Sequence, residues 1–363
     1  MVKRTLGKAP PLEAVDRFTS ELDRLWPAEE RELARAVYPP DAPVLGLAVS
    51  GGPDSLALLL LAAAALPGGV HVASVDHGLR AEAAAEVALV ESVCDALDVP
   101  FTALDVRVVG GNLQARARAA RYAALAQWAR DEQLGAIATA HHADDQAETL
   151  LMRLARGSGL SGLAGVRAMQ GIDPLELGEA MTVLRPLLGW RKAELEAIVA
   201  ASGIAPVRDP SNEETRFDRV RVRQHLAQHT WLDPHALATS AEHLGEAWRA
   251  IEWYAMLDWE EMVVRENGSE IGAGGASGVG GPVFRYNANV PRIIQIETVR
   301  RIVRELGGEV TRAEAGRAAD RLWRGENASL GGVLAVPAIE KVAKVGVEMR
   351  VWRFSTEPAR RFH

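Results

Sequence analysis

A short polar turn stands between an apolar run and a strongly helix-forming run in the first quarter of the chain. Its six residues are Ser50, Gly51, Gly52, Pro53, Asp54 and Ser55. A strand, a glycine-rich turn and a helix start direct backbone N–H groups and the positive helix end at one point, which suits a phosphate. Asp54 would repel that phosphate unless a cation such as Mg²⁺ bridges the two, so the turn predicts a phosphate site with a metal on Asp54. The turn lacks the Gly-Lys-Ser/Thr of a Walker A loop, so binding and release of pyrophosphate fits it better than kinase chemistry.

A second group of reactive side chains lies further along the chain. His141, Asp145 and Glu148 are spaced i, i+4 and i+7, which predicts an imidazole and two carboxylates on one helical face. The opposite face would pack through an apolar stripe of Ala147, Leu150, Leu151 and Leu154. Helix capping would explain one of the aspartates Asp144 and Asp145, but not the whole set. The spacing suits a general base or a metal ligand, although a zinc site would normally add another His or Cys.

Both groups follow predicted strands. Four apolar, β-rich runs recur about every 30 residues, each followed by a helical stretch: Val44–Ser50, Val70–Asp76, Phe101–Val106 and Ala136–His141. This rhythm predicts an α/β fold with a parallel sheet and right-handed crossovers. Ligands of such sheets bind at the carboxyl ends of the strands. We therefore expect Asp54 and Asp145 to share one cavity.

The chain divides into three predicted segments. Residues 1–42 form an N-terminal extension with one or two helices, residues 43–232 form the α/β catalytic domain, and residues 233–363 form a mainly helical C-terminal domain with a short β end. Past residue 155 the pattern weakens: the glycines of residues 157–165 predict a flexible loop, and residues 191–202 a helix.

The C-terminal segment has a composition of its own. Helical patterns run from Pro234 to about Glu266, over residues 292–306 and over residues 311–325, and strand patterns cover residues 332–336 and 347–354. Six of the nine tryptophans lie beyond residue 230, which predicts a separate aromatic core. Residues 268–281 are mostly Gly, Ala and Ser and predict a mobile loop or linker.

Composition excludes several classes of protein. The 363 residues are 48% hydrophobic and 25% charged, unlike a disordered or collagen-like chain. The single cysteine, Cys94, cannot form an internal disulfide or a Cys-x-x-Cys pair. The longest apolar run, Leu56–Leu66, has 11 residues, short of the roughly 20 that span a bilayer. Residues 1–10 lack the apolar segment of a secretory signal, so we expect a cytoplasmic protein without a membrane passage.

Charge is distributed unevenly along the chain. The net charge is -7, yet the residues from Arg292 onward include 14 basic and 9 acidic side chains. That tail therefore carries +5 and the preceding residues -12. Because salt confines each charge to about 10 Å, a basic region on an acidic protein can contact phosphates. The alternative is an ordinary solvated face.

The turn at residues 50–55 resembles the PP-loop of the N-type ATP pyrophosphatases, which have an adenine nucleotide alpha hydrolase-like fold. Within that superfamily, further motifs resemble the tRNA(Ile)-lysidine synthetases, in the same order over about residues 44 to 225. They are Val75–Arg80, Ala117–Tyr122, His141–Leu151, Arg156–Leu163, Arg185–Leu188 and Asp209–Asn212. The arginine-rich segment Arg219–Arg223 has Val220 where the family usually has asparagine, so any role of that asparagine stays open.

The resemblance implies a two-step reaction. ATP adenylates the oxygen on carbon 2 of the wobble cytidine in tRNA-Ile with a CAU anticodon, and the ε-amine of L-lysine then displaces AMP to form lysidine. ATP and Mg²⁺ are the implied cofactors. The turn would hold pyrophosphate through Ser50, Gly51, Gly52, Pro53 and Ser55, with Asp54 on Mg²⁺. Asp76 and His77 would lie near the adenosine.

The remaining implied roles concern the amine and the RNA. Asp145 and Glu148 would bind lysine and accept its proton, or share a metal, and the division between them stays open. His141, Arg118 and Arg121 would stabilise charge on the phosphate or position the base, which must leave its stack. A cluster of arginines would contact the anticodon-stem backbone without reading sequence: Arg216, Arg219, Arg221 and Arg223. The C-terminal domain, residues 233–363, would bind the rest of the tRNA through its arginines from Arg292 onward. The sequence leaves the oligomeric state open, a homodimer included.

Three alternatives compete with this hypothesis. A tRNA thiolase would need cysteine pairs for sulfur or an iron–sulfur cluster, and a single cysteine cannot provide them. A glutamine-dependent PP-loop ligase would need an amidotransferase nucleophile, and the N-terminus has no cysteine for that role. A non-catalytic nucleotide-binding module would keep the turn but has no need of His141, Asp145 and Glu148 together.

Overall fold

The computed structural model describes residues 6–37, 44–76, 83–106, 113–173, 180–207, 218–266, 282–341 and 348–357. Chain contacts divide the protein into two compact units, Met1–Gly245 and Glu246–His363. Four sequence predictions lie outside the described residues: His77, the turn at residues 209–212, Arg216 and the Gly-rich segment 268–281. Within the described part of the chain, no helix is both long and apolar enough to cross a bilayer.

The first unit is built on a six-stranded sheet. Its strands are β1 (Leu45–Ala48), β2 (Val70–Asp76), β3 (Phe101–Asp105), β4 (Ala136–Ala138), β5 (Met169–Ile172) and β6 (Met181–Leu184), in the order β3-β2-β1-β4-β6-β5. All neighbouring pairs are parallel except β5 with β6. The predicted parallel α/β sheet is confirmed. The last two strands were missed because β5 is largely exposed and shows no apolar alternation.

The described residues of the first unit also form helices, and the last of these runs past Gly245. They are α1 (Leu12–Leu25), α2 (Ala28–Val37), α3 (Pro53–Ala65), α4 (Ala83–Leu97), α5 (Leu113–Asp131), α6 (Ala143–Ala155), α7 (Leu160–Leu163), α8 (Lys192–Ala201), α9 (Asp218–Gln228) and α10 (Pro234–Met262). α3 contacts both α1 and α8, so its residues 55–62 are all buried. This enclosure explains why α3 is apolar on every side.

Strand order places the two chemical groups together. The chain moves from β1 to β2 and β3 on one side, then returns to β4 on the other side of β1. Leu47 of β1 is in register with Val72 of β2 and with Ala138 of β4. The segments that leave β1 and β4 therefore separate at a topological switch point, where open α/β sheets bind their ligands.

The predicted flexible loop after α6 is instead held by specific contacts. Its residues 160–163 form α7, and Arg153 donates hydrogen bonds to the carbonyls of Gly162 (2.6 Å) and Gly165 (3.0 Å). The Gln146 side chain accepts from Val166 N at 2.6 Å and donates to Val166 O at 2.7 Å. These bonds satisfy the loop backbone, a long-range effect that local composition does not reveal.

The second unit contains more β structure than the sequence predicted. Its five-stranded antiparallel sheet has the order β7-β8-β11-β10-β9, with β7 (Val263–Glu266), β8 (Val283–Asn287), β9 (Ala328–Leu330), β10 (Val333–Lys341) and β11 (Glu348–Thr356). Helices α11 (Arg292–Glu305) and α12 (Arg312–Trp323) contribute to the core. Tyr286, Trp352 and Phe354 are fully buried, which confirms the predicted aromatic core.

Candidate active site

The turn between β1 and α3, residues 50–55, has the geometry of a phosphate cradle. Gly51 has φ +82°, a left-handed conformation that favours glycine, and Pro53 occupies the first turn of α3. Ser55 Oγ accepts from Ser50 N at 3.1 Å and donates to Gly52 O at 3.0 Å. The first N–H groups of α3 lack helical partners because they begin the helix. The turn therefore presents donors and a positive helix end to the cavity.

Asp54 has the features expected of a metal ligand. Its Oδ1 atom is buried and has no hydrogen-bond partner, while its Oδ2 lies 3.5 Å from His142 Nε2. An unpaired buried carboxylate oxygen beside a phosphate cradle fits Mg²⁺, which commonly takes one or two carboxylates plus substrate phosphates. The described residues include no group of three or more His, Cys, Asp or Glu side chains arranged to hold a metal by themselves. Any such ion would therefore depend on the nucleotide for ligands.

The segment leaving β4 carries the second chemical group, with one correction to the sequence prediction. α6 begins at Ala143, so His141 lies in the turn before it and not on a helical face with Asp145 and Glu148. The His141 Nδ1 atom is 3.0 Å from Thr139 Oγ1. The predicted apolar stripe also ends early, because Leu154 is 58% exposed. The sequence prediction extended the helical face back to His141, before the start of α6, and extended the apolar stripe forward to the exposed Leu154.

His142 was missed by sequence analysis and lies among three aspartates, Asp54, Asp144 and Asp145. This buried imidazole has Nε2 3.5 Å from both Asp54 Oδ2 and Asp145 Oδ2, and Nδ1 3.7 Å from Asp144 Oδ2. Burial favours the neutral ring, but the contact with Asp54 and the charges of the three aspartates outweigh it and raise the pKa of His142 above its ordinary value. The sequence offered one clue, since His142 directly precedes the helix and lies three residues before Asp145.

The two predicted catalytic carboxylates, Asp145 and Glu148, form an acidic cluster that is paired with arginines of α9. Arg219 donates to Glu148 Oε2 through Nε at 2.5 Å and to Asp145 Oδ1 through Nη2 at 2.7 Å. Arg223 Nε donates to Glu148 Oε1 at 2.7 Å. Burial would raise the pKa of Asp145, but His142 and Arg219 outweigh it and lower that pKa. Arg221 differs from its neighbours because it pairs with Asp218 and is exposed.

A cationic region lies near His141. Within the described residues, no carboxylate lies within ion-pair distance of Arg118, Arg121 or Arg185. Arg185 is 2% exposed and donates to Arg167 O at 2.6 Å, while the Arg118 guanidinium lies 5.1 Å from the Tyr122 ring centre. Burial lowers the pKa of Arg121; Tyr122 opposes this shift, and the charge of Arg118 adds to it.

The charges of this cationic region also affect the pKa of His141. Burial lowers the pKa of His141 to about 4. Asp145 opposes this shift, and the charges of Arg185, Arg118 and Arg219 add to it. His141 is therefore neutral at physiological pH and can accept or donate one hydrogen bond at each ring nitrogen according to its tautomer. His141 and His142 are adjacent in the chain, yet their surroundings shift the two pKa values in opposite directions.

A single cavity of about 520 Å³ joins these groups. Its lining includes the turn residues Ser50, Gly52, Pro53, Asp54 and Ser55, together with Arg121, His141, Asp145, Lys192 and Arg219. The volume lies within the range of roughly 300–1,000 Å³ typical of small-molecule sites. Asp54 and Asp145 thus share the cavity that the sequence hypothesis required. Glu148 lies just behind it, buried and bonded to Arg219.

Among the described residues, the predicted site residues that do not line this cavity are Gly51, Asp76, Arg118, Glu148, Arg221 and Arg223. Asp76 is the last residue of β2, where its carbonyl accepts from Val106 N at 2.8 Å. Arg118, on α5, is exposed and acts on His141 through its charge. Neither side chain contributes to the wall of the cavity.

Fold and site together define a nucleotide-binding α/β domain with a phosphate cradle at its switch point, and the PP-loop domain family matches residues 26–230. The chain is 44% identical over 316 residues to the tRNA(Ile)-lysidine synthase of Novosphingobium aromaticivorans, covering 87% of this chain and 89% of that protein. It is 38% identical over 305 residues to the tRNA(Ile)-lysidine synthase of Bradyrhizobium diazoefficiens, with 82% of each chain covered. The chain belongs to the tRNA(Ile)-lysidine synthase family.

Similarity to solved structures is weaker. The U34-tRNA thiolase NcsA from Methanococcus maripaludis, solved with its [4Fe-4S] cluster, has a TM-score of 0.49 and 14% sequence identity, covering 65% of this chain and 80% of that chain. This likeness is too weak to support an inference about chemistry. Family membership rests on sequence.

Proposed function

We propose that this protein ligates L-lysine to carbon 2 of the wobble cytidine of tRNA-Ile(CAU), using ATP and releasing AMP and pyrophosphate. One observation carries the proposal: Asp54 of the phosphate cradle and Asp145 of the acidic cluster line the same cavity, and both contact His142. A ligase that joins an activated carbonyl to an amine needs its nucleotide and its amine within one site.

The phosphate cradle serves the adenylation step. Ser50, Gly52 and Ser55 line the cavity and would hold the pyrophosphate part of ATP through hydroxyl and backbone donors. Asp54 would hold Mg²⁺ through its buried, unpaired Oδ1. When bound, that ion would neutralise charge on the departing pyrophosphate. His142, between Asp54 and Asp145, would keep the two carboxylates in fixed positions.

The acidic cluster serves the amine. Lysine enters as an ammonium ion and must lose a proton before its nitrogen can attack carbon 2. Asp145 and Glu148 would bind the ε-ammonium group, and one of them would accept the proton. Lowering of the Asp145 pKa keeps that carboxylate ionised at neutral pH, so it retains the negative charge that pairs with an ammonium ion.

The cationic side of the cavity suits the adenylated base. Arg121 and His141 both line the cavity, and Arg121 has no carboxylate partner within the described residues. Its charge is therefore available to the phosphate that joins cytidine and AMP. Neutral His141 would donate a hydrogen bond to the same group or to the base. Arg118 and Arg185 would reinforce the positive potential from behind.

The RNA partner would contact exposed arginines near the cavity. Arg221 and Arg156 are both more than half exposed and both pair with Asp218. Phosphate contacts by such side chains give salt-dependent affinity.

We also expect a cytoplasmic enzyme. Measurement of its mass in solution tests whether it forms a homodimer.

Incubation with ATP, Mg²⁺, labelled L-lysine and an unmodified tRNA-Ile(CAU) transcript tests the proposal. We expect label in the RNA, and release of pyrophosphate even when lysine is omitted, because adenylation precedes attack. Absence of lysine transfer by folded protein with an authentic transcript would reject the assignment.

The variant Asp145→Asn separates an enzyme from a nucleotide-binding module. We expect ATP binding to persist, since the phosphate cradle is intact, and lysine transfer to be lost. Transfer at the wild-type rate would show that the acidic cluster has no part in the reaction.

A further inference from the structure

The carboxylates proposed to receive lysine already have cationic partners from the chain itself. Both oxygens of Glu148 accept hydrogen bonds from arginine, and Asp145 accepts one more. Taken together, the two carboxylates and the two guanidinium groups carry no net charge. A neutral cluster has little net attraction for a lysine ammonium ion. The arrangement therefore disfavours the binding of lysine while both arginines stay in place.

Burial makes this competition direct. Glu148 is 1% exposed, and a buried charge left without a partner is strongly unfavourable. An arginine can therefore leave Glu148 only if another cation takes its position. The ε-ammonium group of lysine is such a cation, with three N–H donors.

The arginines themselves are able to find another partner. The side chains of Arg219 and Arg223 are 43% and 37% exposed, so solvent and ligands reach them. Arg219 also lines the cavity that contains the phosphate cradle. Guanidinium groups bind phosphate as readily as carboxylate, because the same two-point geometry serves both.

We propose that Arg219 and Arg223 are positioning residues that exchange partners during the reaction. They neutralise Asp145 and Glu148 until a phosphate of a bound co-substrate, nucleotide or RNA, takes the guanidinium groups. The carboxylates then become available to the lysine ammonium ion. This inference rests on the proposed function, because it concerns the order in which that reaction's substrates bind.

The exchange has a thermodynamic consequence that can be measured. A phosphate ligand that removes the arginines raises the affinity for lysine, and lysine must raise the affinity for that ligand by the same factor. Coupling of this kind typically amounts to about 5- to 150-fold. We therefore expect lysine to bind weakly to the free protein and at least about 5-fold more tightly to the complex.

Equilibrium dialysis with labelled L-lysine tests the exchange. The arms contain wild-type protein alone, protein with unmodified tRNA-Ile(CAU), and protein with Mg²⁺ and an ATP analogue that cannot be cleaved between the α and β phosphates. Tighter lysine binding in the tRNA arm assigns the phosphate to RNA, and tighter binding in the analogue arm assigns it to the nucleotide. Equal lysine affinity in all three arms would overturn the proposal.

The variant Arg223→Gln provides an independent measurement. It removes one cation from Glu148 while Arg219 still pairs with it, so the fold is retained, as a melting curve would verify. We expect lysine to bind more tightly to this variant than to wild type when no phosphate ligand is present, and the effect of the ligand to shrink. Unchanged or weaker lysine binding would refute the exchange.

Arg24→Gln is the matched control. Arg24 also bonds two carboxylates, Glu21 at 3.1 Å and Glu242 at 2.8 Å, but does not line the cavity. It should leave lysine binding unchanged. Lysidine formation by wild type, assayed in parallel, separates the two hypotheses: lysidine formed without coupling rejects only the exchange, and no lysidine formed rejects the proposed function together with it.

Discussion

Replacement of Glu148 by glutamine tests the acidic cluster most sharply, because the side chain keeps its shape and loses its charge. Glu148 is 1% exposed and accepts from Arg219 at 2.5 Å and Arg223 at 2.7 Å. Glutamine would retain one oxygen acceptor and direct an N–H₂ donor at an arginine donor. At least one charge-assisted hydrogen bond is lost, worth roughly 1.5–3 kcal/mol.

The stability effect should be smaller than for a fully buried ion pair. Both arginines are partly exposed and can turn to water, and the variant no longer buries a carboxylate charge. We therefore expect the free energy of unfolding to fall by about 2 kcal/mol, within the range for one lost charged hydrogen bond. For a unit of this size that corresponds to a melting temperature lower by about 4–8 °C.

The catalytic effect should be larger and confined to one step. Loss of a carboxylate that binds the amine or accepts its proton costs about 10²–10⁴-fold in rate. Lysine transfer to labelled tRNA should therefore fall at least about 100-fold. Pyrophosphate release without lysine should persist, because the phosphate cradle does not involve Glu148.

Glu297→Gln controls for the chemistry of the substitution. Glu297 in the second unit also lies between two arginines, Arg300 at 3.0 Å and Arg312 at 2.8 Å. This variant should lose similar stability and keep full activity. If Glu148→Gln transferred lysine within a few-fold of wild type, or lost pyrophosphate release equally, the assignment of the acidic cluster to the amine would be wrong.

Three further predictions concern the metal, pH and the backbone. Asp54→Asn, or chelation of Mg²⁺ in wild type, should abolish pyrophosphate release while lysine binding in the presence of tRNA persists; release at the wild-type rate would exclude Asp54 as a metal ligand. The pKa of His141 lies at about 4, below the unfolded value of about 6.5, so from pH 6.5 down to 4 the unfolded chain binds a proton that the folded chain does not. The free energy of unfolding should fall by up to about 3 kcal/mol over that window, and denaturation of His141→Gln should show a shallower slope; parallel slopes would contradict the burial of His141. Gly165 has φ +66°, and an added Cβ would lie 2.4 Å from Gln146 Oε1. Gly165→Ala should therefore lower the free energy of unfolding, measured by chemical denaturation, by about 1–3 kcal/mol. The loss should exceed that of Gly203→Ala, where φ is +72° but the space around the added Cβ is open.

Much of the fold could be predicted because its main determinants are local. The four strand–helix repeats from Val44 to His141 have apolar runs and turn residues that specify each element without long-range information. β5 escaped prediction because an exposed edge strand has no buried face to impose a pattern. β7 escaped because it follows α10 directly, so the helical pattern was extended through it to about Glu266.

The candidate site divides in the same way. The phosphate cradle was predictable from consecutive residues, because Gly51, Pro53 and Ser55 determine the turn through backbone geometry and nearby hydrogen bonds. The partners of the acidic cluster were not, because Arg219 lies 74 residues after Asp145. An arginine-rich run indicates only an available charge, and whether that charge meets RNA or a carboxylate depends on where its helix packs.

The sequence by itself determined the chemistry available to this protein: a turn for a phosphate, two carboxylates, nearby arginines and the order of strands that carries them. Tertiary structure alone decided the electrostatic state of each group. His141 and His142 have the same ordinary pKa, yet burial, with arginines nearby, lowers the pKa of His141, whereas three aspartates outweigh burial and raise the pKa of His142. Charge interactions depend on distance and burial, and both are set by contacts between segments that the linear order of residues does not specify.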